Sequence, residues 1–379
     1  MKPKVLLFID WYLPGNKAGG PVTSIGHMVE NLRMEVDFYV LTRNTDYGED
    51  QPYIHVRSNH WIKVKDGLSI FYFSKDQLTI AKLKQVISGL DCDHWYINGI
   101  YSFYFSILPV WLSRGRKNLK VTVASRGMLS PHALAVKPIK KMVYLCLSKM
   151  LGIYNGINFH ATNAVEAIEI RKRLGNHHNI KIASNLTGSP SAFNPKKGDK
   201  TPGVLKLLSL ARISPEKNIL GALKSLSDCK HLVQFDLYGQ QLDMEYMKQC
   251  LDEANKLPSN VKVTFHGSVP TEEVPRILQQ SDFLFLPTHG ENFGHSILEA
   301  MLAGCPVIIS DRTPWRDLEA KGLGWDISLT EQKRFKEVLG QAAAMDADTY
   351  GKMSQAAFTF AKDFAGNPKL LSENLALFL

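Results

Sequence analysis

The chain has 379 residues, a length sufficient for two domains. Of these residues 45% are hydrophobic and 21% charged, a balance that excludes a disordered or fibrous protein. The longest apolar stretch, residues 100–112, is too short to span a bilayer, which requires about 20 apolar residues. The five cysteines are scattered singly, without metal or redox spacing, and together with these features predict reduced thiols in a cytoplasmic protein.

The first half alternates short apolar runs with helical patterns, which is typical of βαβ units and parallel sheets. The initial segment is basic and then apolar, but its apolar run is short and ends in Asp10, so it predicts a first strand rather than a signal peptide. A glycine-rich loop and a helix over 21–32 follow. The strands predicted in this half are 4–10, 36–43, 94–98, 120–125 and 157–162.

Positive charge is concentrated in the first half: residues 1–190 contain 24 lysines and arginines against 13 acidic residues. No aspartate or glutamate occurs between Asp93 and Glu166. The pattern indicates either a solvated face or a surface that meets a phosphate, an acidic lipid or nucleic acid. The basic residues of this stretch are Arg114, Arg116, Lys117, Lys120, Arg126, Lys137, Lys140, Lys141 and Lys149.

A segment rich in Asn, Gly, Ser and Pro, 185–203, predicts a linker, after which the alternation of strands and helices restarts. We expect an N-terminal Rossmann-like domain over 1–190 and a second over 191–360. A C-terminal helix over 361–379 is expected to pack back on the first domain. Ligands of such doubly wound α/β folds bind at the carboxyl ends of the strands, which predicts a site in a cleft that both domains face. The strands predicted in the second half are 205–212, 233–239, 261–267, 283–288 and 306–311.

The sharpest local signal is the stretch THGENFGHSILEAMLAGCPVII, residues 288–309. Glu291 lies in a turn before a helix, and Glu299 lies within that helix. Free backbone N–H groups at a helix N-terminus donate hydrogen bonds to the oxygens of sugar hydroxyls or phosphate, and a carboxylate accepts hydrogen bonds from adjacent hydroxyls. In isolation, the two glutamates favour a structural interpretation, in which Glu291 caps the helix and Glu299 is a solvated helical residue.

The surrounding sequence resembles retaining glycosyltransferases with the GT-B fold, specifically family 4, also called group 1. The resemblance covers GENFGHSILEAMLAGCPV and continues upstream through LLSLARISPEKN (207–218), FDLYG (235–239) and FHGSVPTEEVPRIL (265–278), in the family's order and spacing. It therefore extends over about 205–318, nearly all of the second predicted domain. The implied fold is α/β, with two Rossmann-like doubly wound parallel-sheet domains facing a cleft.

The resemblance also implies a role for each matching position. Arg212 and Lys217 would bind the donor diphosphate, which a guanidinium fork and a point cation both suit. Glu291 would contact the transferred sugar, and Glu299 would take the ribose hydroxyls. The backbone of Asn292, Phe293 and Gly294 would hold sugar hydroxyls. The base pocket would be lined by Ser268 and Val269.

Two segments of the first half fit the same interpretation less closely. Gly19 and Gly20 directly precede the helix at Pro21, where they could admit a phosphate or simply form the turn. In SRGMLSPHAL (125–134), Arg126 occupies the position of the family's strand-end histidine, a pattern that resembles bacterial members associated with polysaccharide synthesis. Arg126 is therefore a catalytic candidate, and His132 a candidate by proximity. Glu166 resembles a family position at a helix start and favours a structural role.

The triplet Asp91-Cys92-Asp93 spells the metal motif of the other major glycosyltransferase fold, but its position predicts a turn between a helix and a strand. We therefore expect no metal and no cofactor. The amphipathic segment 137–151 has two interpretations. It is either a core-facing helix with one wet side, or a basic helix that touches an anionic membrane and a lipid-linked acceptor.

The sequence thus predicts a retaining glycosyltransferase of the hexosyltransferase type in bacterial surface polysaccharide biosynthesis. We expect a hexose or N-acetylhexosamine donor carried by UDP, or next by GDP. The expected acceptor is a polyprenyl-diphosphate-linked saccharide or an oligosaccharide, with an anionic membrane surface as a further partner and no nucleic acid. The expected location is the cytoplasm, peripheral on the inner face of the cell membrane. The alternatives are a sugar-nucleotide epimerase or hydrolase on the same fold, and a basic nucleic-acid-binding or inactive scaffold protein.

Overall fold

The computed structural model describes residues 2–116, 118–188 and 200–379. Contacts divide the chain into two compact units: the first comprises Met1–Gly188 with Asn367–Leu379, and the second is Ser189–Gly366. Most of the predicted linker, residues 189–199, lies outside the described residues. Each unit has a sheet of its own with helices packed on it.

The first unit is built on an eight-stranded sheet in the order β3-β4-β2-β1-β5-β6-β7-β8. Its central strands are buried on both faces, which explains their nearly continuous apolar sequence. All pairs are parallel except β3–β4, an antiparallel hairpin at the edge. The strands are β1 (Lys4–Phe8), β2 (Asp37–Arg43), β3 (Trp61–Lys65), β4 (Leu68–Phe73), β5 (His94–Asn98), β6 (Lys120–Ala124), β7 (Asn158–Ala161) and β8 (Ile180–Ile182).

The helices of this unit connect successive strands, as parallel pairing requires. Three of them begin at polar caps: the side chain of Thr79 accepts the N–H of Lys82, that of Ser130 accepts the N–H of Ala133, and that of Asn163 accepts the N–H of Glu166. A π-helical turn, Phe103–Ile107, runs directly into α3. The helices are α1 (Gly20–Leu32), α2 (Ile80–Ser88), α3 (Leu108–Ser113), α4 (Pro131–Ala135), α5 (Pro138–Met150) and α6 (Ala164–Leu174).

The second unit has a six-stranded, fully parallel sheet in the order β11-β10-β9-β12-β13-β14. Its strands are β9 (Val204–Leu210), β10 (Leu232–Tyr238), β11 (Val261–Gly267), β12 (Phe283–Leu286), β13 (Val307–Ser310) and β14 (Gly324–Ile327). Its helices are α7 (Ile219–Lys224), α8 (Met244–Ala254), α9 (Val274–Gln280), α10 (His295–Leu302), α11 (Gln332–Ala344) and α12 (Ala347–Ala365). Strand order and parallel pairing are those of a Rossmann-like domain.

The C-terminal segment differs from the single helix predicted over 361–379. Residues 361–365 complete α12, and a separate helix, α13 (Pro368–Leu375), follows. The break occurs because Pro368 cannot continue a helix, while the Asn367 side chain accepts the N–H of Lys369 at 3.0 Å and starts a new one. After α13, the buried Phe378 packs its ring against Phe38 of β2 and Tyr96 of β5 in the first unit.

Candidate active site

The predicted donor residues of the second unit lie in loops that follow its strands. Arg212 comes after β9, Ser268 and Val269 come after β11, and Glu291 comes after β12. The carboxyl ends of parallel strands share one edge of a sheet, so these loops lie along the same edge.

Backbone hydrogen bonds tie the loops of this edge together. The N–H of Ala211 donates to Tyr238 O at 3.0 Å, and that of Gly239 donates to Gly267 O at 2.7 Å. A Cβ on Gly239 would lie 1.8 Å from Ala211 O, so the close approach of the first two loops requires glycine. The loops after β9, β10 and β11 are thus joined directly to one another.

Lys217 and Glu291, 74 residues apart in sequence, form a direct ion pair. The Lys217 Nζ lies 2.5 Å from Glu291 Oε1, and the two side chains are only 19% and 12% exposed. The N–H of Glu291 donates to Arg312 O at 2.9 Å, which fixes the turn that carries the carboxylate. A charge-assisted hydrogen bond with this little solvent is strongly directional. The structure therefore brings together a predicted phosphate ligand and a predicted sugar ligand.

Glu216 is a site residue that the sequence interpretation missed. Its carbonyl oxygen accepts the N–H of His289 at 2.8 Å and the hydroxyl of Thr288 at 3.0 Å, which joins the loop after β9 to the loop after β12. Burial alone would raise the pKa of the Glu216 carboxyl, but the nearby polar groups of Ser214 and the local backbone, with the charges of Arg212 and Lys217, lower it. The sequence did indicate Glu216 indirectly, because it lies within the stretch 207–218 that resembles the family.

Gly294 sets the start of α10. It adopts φ +79° and ψ 65°, a left-handed conformation, and a Cβ there would lie 2.8 Å from the Ile297 side chain. Trp315 donates from Nε1 to Phe293 O at 2.6 Å, and its ring packs against that of Phe293. The predicted sugar-binding backbone is therefore held by a buried tryptophan, which no local motif indicated.

Glu299 lies one turn into α10 and is enclosed by protein, although part of the side chain remains accessible to solvent. Burial raises the pKa of Glu299 from 4.5 to about 7. A carboxyl in this state loses or gains its charge near neutral pH. Such a group accepts two hydrogen bonds from vicinal hydroxyls when ionised and becomes a donor when protonated.

The residues predicted to line the base pocket, Ser268 and Val269, follow Gly267, which adopts φ +77°. Ser268 is exposed, and Val269 packs partly into the core under α10. A polar groove of about 770 Å³ runs along the face of β9, β10 and β11 beside this loop. It contains the stacked rings of Tyr238 and His266 but is not lined by Glu291, Lys217 or Arg212, so its volume is separate from those groups.

In the first unit, the predicted glycine loop precedes α1. Gly19 adopts φ +70° and caps the helix without a side-chain acceptor, and its carbonyl oxygen accepts the N–H groups of the first turn. Asp46 anchors the loop: its carboxylate accepts the N–H of Asn16 at 2.9 Å and that of Lys17 at 3.2 Å. Gly20 is exposed at the first position of α1. The anchoring by Asp46 was not predicted.

Arg126 is held by three side chains of the first unit. Its guanidinium donates to Asn98 at 2.7 Å, to Asn185 at 2.8 Å and to the Tyr96 hydroxyl at 2.9 Å. The Tyr96 hydroxyl is also 2.5 Å from His160 Nδ1. Burial, with the nearby charge of Arg126, lowers the pKa of His160 to about 4. Arg126 therefore organises the ends of β5 and β6, and His160 is neutral at physiological pH.

The remaining candidates of the first unit lie apart from the Arg126 network or support it. Glu166 is a buried carboxylate that accepts the Ser125 hydroxyl at 2.6 Å and the N–H groups of Gly127 and Thr162. Burial alone would raise its pKa, but these hydrogen bonds lower it. His132 is exposed on α4. Glu166 thus braces the turn that carries Arg126, in agreement with the structural role expected for it.

The triplet at residues 91–93 forms the turn between α2 and β5, as predicted. Asp93 accepts the N–H of Lys4 at 2.9 Å, at the amino ends of the strands. Within residues 2–116, 118–188 and 200–379, no cluster of three or more His, Cys, Asp or Glu side chains is suited to a metal ion. Across the same ranges, none of the helices has the length and apolar character needed to cross a bilayer.

Comparisons with known proteins identify the class. Residues 191–359 match the family model described as glycosyl transferases group 1. The alpha-monoglucosyldiacylglycerol synthase of Streptococcus pneumoniae is 24% identical over 332 residues, which cover 80% of this chain and 70% of that protein. The poly(glycerol-phosphate) alpha-glucosyltransferase of Bacillus subtilis is 29% identical over 191 residues, 46% of this chain and 27% of that protein.

Solved structures share the fold over the whole chain. The sucrose-phosphate synthase of Thermosynechococcus elongatus superposes with a TM-score of 0.74 at 15% identity, covering 100% of this chain and 98% of that one. Anabaena Alr3699/HepE in complex with UDP-glucose gives a TM-score of 0.73 at 15% identity, covering 99% and 98%. At this identity the likeness establishes the fold.

The fold and the matched segment define a glycosyltransferase of the GT-B class, an α/β protein with two Rossmann-like units. Residues 191–359, less than half of the chain, match the group 1 glycosyltransferases, and the chain as a whole is similar to enzymes of that class. It is therefore a transferase. The similarities reported above can be explained without the epimerase, hydrolase or nucleic-acid-binding alternatives.

Proposed function

We propose that this enzyme transfers a hexose or N-acetylhexosamine, with retention of anomeric configuration, from a nucleotide-sugar donor bound at the second unit. The observation that carries the proposal is the Lys217–Glu291 ion pair at the carboxyl edge of the second sheet, within the group 1 segment. Lys217 and the exposed Arg212 supply cations for a diphosphate, and Glu291 supplies an acceptor for sugar hydroxyls.

The proposed chemistry relies on charge stabilisation. The bond between the anomeric carbon and the diphosphate oxygen breaks, and its electron pair goes to the leaving diphosphate. Lys217 and Arg212 stabilise that developing negative charge, a contribution commonly among the largest in catalysis. The acceptor hydroxyl attacks the same face of the sugar, and its proton passes to the leaving phosphate oxygen. We propose that no metal is required, so transfer should persist in excess EDTA.

UDP is the proposed nucleotide, with GDP next. Similar proteins support UDP as the first choice. The Anabaena structure was determined with UDP-glucose, and the names of the Streptococcus and Bacillus relatives both refer to glucosyl groups. Thermal shift with UDP, GDP, ADP and dTDP tests the choice, because a ligand at a hundred times its Kd adds about 2.7 kcal/mol of stability. A larger shift with ADP or dTDP than with UDP or GDP would reject the order.

The proposed acceptor is a polyprenyl-diphosphate-linked saccharide or an oligosaccharide of a bacterial surface polysaccharide, reached from the inner face of the cell membrane. The lipid named in the Streptococcus relative and the basic stretch of the first half support an acceptor at a membrane. The roles of Gly19 and Gly20 near the donor phosphate, and of Arg126 beside the acceptor, remain part of this proposal.

The deciding experiment compares wild-type enzyme with Glu291→Ala and Lys217→Ala, using purified UDP-sugars and lipid-linked acceptor. We expect losses of transfer of at least about a hundredfold, the scale seen when a single charge-stabilising group is removed. Exposed Lys333→Ala, on the surface of α11, is the matched control and should retain full activity. Full transfer activity in both site variants would contradict the assignment of Glu291 and Lys217 to the donor site.

A further inference from the structure

Helix α5 of the first unit turns its apolar side outward. Ile139 is 78% exposed, Met142 59%, Val143 53% and Met150 72%. Their spacing, with the exposed Cys146 between them, places all five on one helical face. This is the opposite of a core-facing helix with one wet side, which was one of the two interpretations of the sequence.

The other side of α5 is fixed against the protein by specific contacts. The Tyr144 hydroxyl is 2.7 Å from that of Tyr154, and Leu145 is buried. The ammonium of Lys141 donates to Ala133 O and lies 5.5 Å from the centre of the Tyr101 ring. Polar groups thus hold the helix down while the apolar side points away, so the exposure is built into the packing.

Lysines border the apolar face. At 100° per residue, Lys140 and Lys149 fall on opposite edges of the stripe, and both are exposed. No aspartate or glutamate occurs between residues 93 and 166, so the chain around α5 adds no acidic side chain to offset them. An apolar face with flanking cations and no acid in its own stretch of chain complements a negatively charged, hydrocarbon-bearing surface.

An apolar groove adjoins the end of α5. It has a volume of about 370 Å³ and contains the exposed side chains of Phe103 and Trp111. Ile153, three residues after α5 ends, lines the same groove. Arg114 also lines it and donates to Gly152 O at 2.7 Å, which links its wall to the end of the helix. The groove therefore adds exposed apolar side chains beside the end of α5, more than scattered single residues would give.

We propose that this surface, which we call the α5 face (Ile139, Met142, Val143, Cys146 and Met150, with Lys140 and Lys149), docks on an anionic lipid bilayer. The helix lies in the plane of the headgroups, its apolar side enters the acyl boundary, and the lysines meet lipid phosphates. The inference deepens the proposed membrane attachment, on which it rests, by naming the surface and the lipid class. It does not depend on the donor site of the second unit.

The test is sedimentation of the full-length protein with vesicles of phosphatidylcholine alone or mixed with phosphatidylglycerol. We expect binding to the anionic vesicles only, weakened by high salt. The double variant Met142→Glu and Met150→Glu should bind at least about tenfold more weakly, because each glutamate replaces buried hydrocarbon with a charge that anionic lipids repel. Met244→Glu is the matched control: Met244 is also 72% exposed but lies on α8 of the second unit, and this variant should bind like wild type.

A thermal shift with UDP and the molecular mass in solution are measured on the same samples. The inference is overturned if the double variant binds vesicles as well as wild type, or if wild type shows no preference for anionic vesicles. In either case, a retained thermal shift with UDP would leave the proposed function intact. A wild-type dimer that the double variant converts to a monomer, without vesicle binding, also overturns it, since the face would then pair two copies. Vesicle binding that depends on the α5 face in a protein without a UDP shift supports the inference and counts against the proposed donor.

Discussion

At the residue scale, the contact between Lys217 and Glu291 couples two roles that would be assigned separately from sequence. Each group neutralises the other, and their side chains are 19% and 12% exposed. Removal of the lysine leaves a poorly solvated carboxylate without a partner. Stability and activity should therefore respond differently to the same substitutions.

We predict that Lys217→Met lowers the free energy of unfolding by about 1–3 kcal/mol, less than for a fully buried pair because some solvent reaches both groups. The double variant Lys217→Met with Glu291→Gln should recover most of that loss, because no unpaired charge remains. Transfer should stay at least about a hundredfold below wild type in both. Urea denaturation and initial rates provide the two readouts, and recovery of transfer in the double variant would contradict the assigned roles.

Glu299 gives a pH-dependent prediction. Its pKa is about 7 in the folded protein against an ordinary 4.5, so the folded state holds the proton more tightly than the unfolded state. Its contribution to stability is therefore complete below about pH 4.5 and is lost as the pH rises through 7. Glu299→Gln should stabilise the protein by about 1–3 kcal/mol at pH 8 and change little at pH 4.5. Chemical denaturation at both pH values is the measurement.

The same titration should appear in nucleotide binding. If the ionised carboxylate accepts both ribose hydroxyls, UDP affinity should rise between pH 6 and pH 8 by up to about tenfold, the worth of one charged hydrogen bond. Isothermal titration calorimetry measures it. Glu299→Gln is the control, since it removes the titrating group while leaving the ionisation of UDP unchanged. An identical pH dependence in this variant would exclude the ribose role.

At the scale of elements, the start of α10 depends on Gly294. A side chain there would meet Ile297 at 2.8 Å, on a backbone with φ +79° that favours glycine. Gly294→Ala should destabilise the protein by about 1–3 kcal/mol and impair donor binding. Gly340→Ala lies within α11, and apart from its chain neighbours and the helix's own backbone nothing lies within 4 Å of the new Cβ, so it should instead stabilise by about 0.4–1 kcal/mol. Thermal melts of the two variants should shift in opposite directions.

Element order was accessible from the sequence because buried parallel strands carry continuous apolar runs. The stretch 94–98 was predicted as a strand and is β5 with the same limits. The edge hairpin β3–β4 and the short β8 and β14 were missed. An edge strand such as β3 pairs with a neighbour on one side only, so it is largely exposed. Its sequence therefore carries lysines and shows only a weak apolar pattern.

The direction in which a helix faces was not accessible from periodicity. The pattern of α5 identified an apolar stripe but could not distinguish the core from an external partner. What turned the stripe outward are contacts of Tyr144 and Lys141 with residues before and after the helix. The Arg126 network has the same origin, because its three partners come from residues 96, 98 and 185. Polar contacts between separate elements leave no signal in the periodicity of either element.

At the scale of the whole molecule, the two units differ in how the chain builds them. The second is one continuous segment, Ser189–Gly366, whereas the first needs both ends of the chain. Residues 367–379 supply Phe378, which is 3% exposed and packs on Phe38, His94 and Tyr96. They also supply Asn374, which donates to Ser184 O at 2.8 Å. The C-terminal segment is thus part of the core of the first unit.

We predict that a fragment ending at residue 188 is much less stable than one in which residues 367–379 follow 188 through a short glycine-serine linker. Loss of Phe378 alone should cost about 3–5 kcal/mol, a large share of the 5–15 kcal/mol that stabilises a typical domain. Circular dichroism melts of the two fragments measure the difference, and Phe378→Ala in the full chain isolates the aromatic contribution. The continuous fragment 189–366 should melt cooperatively without any added segment. Equal melting temperatures for the two forms of the first unit would show instead that its sheet closes its core without the C-terminal helix.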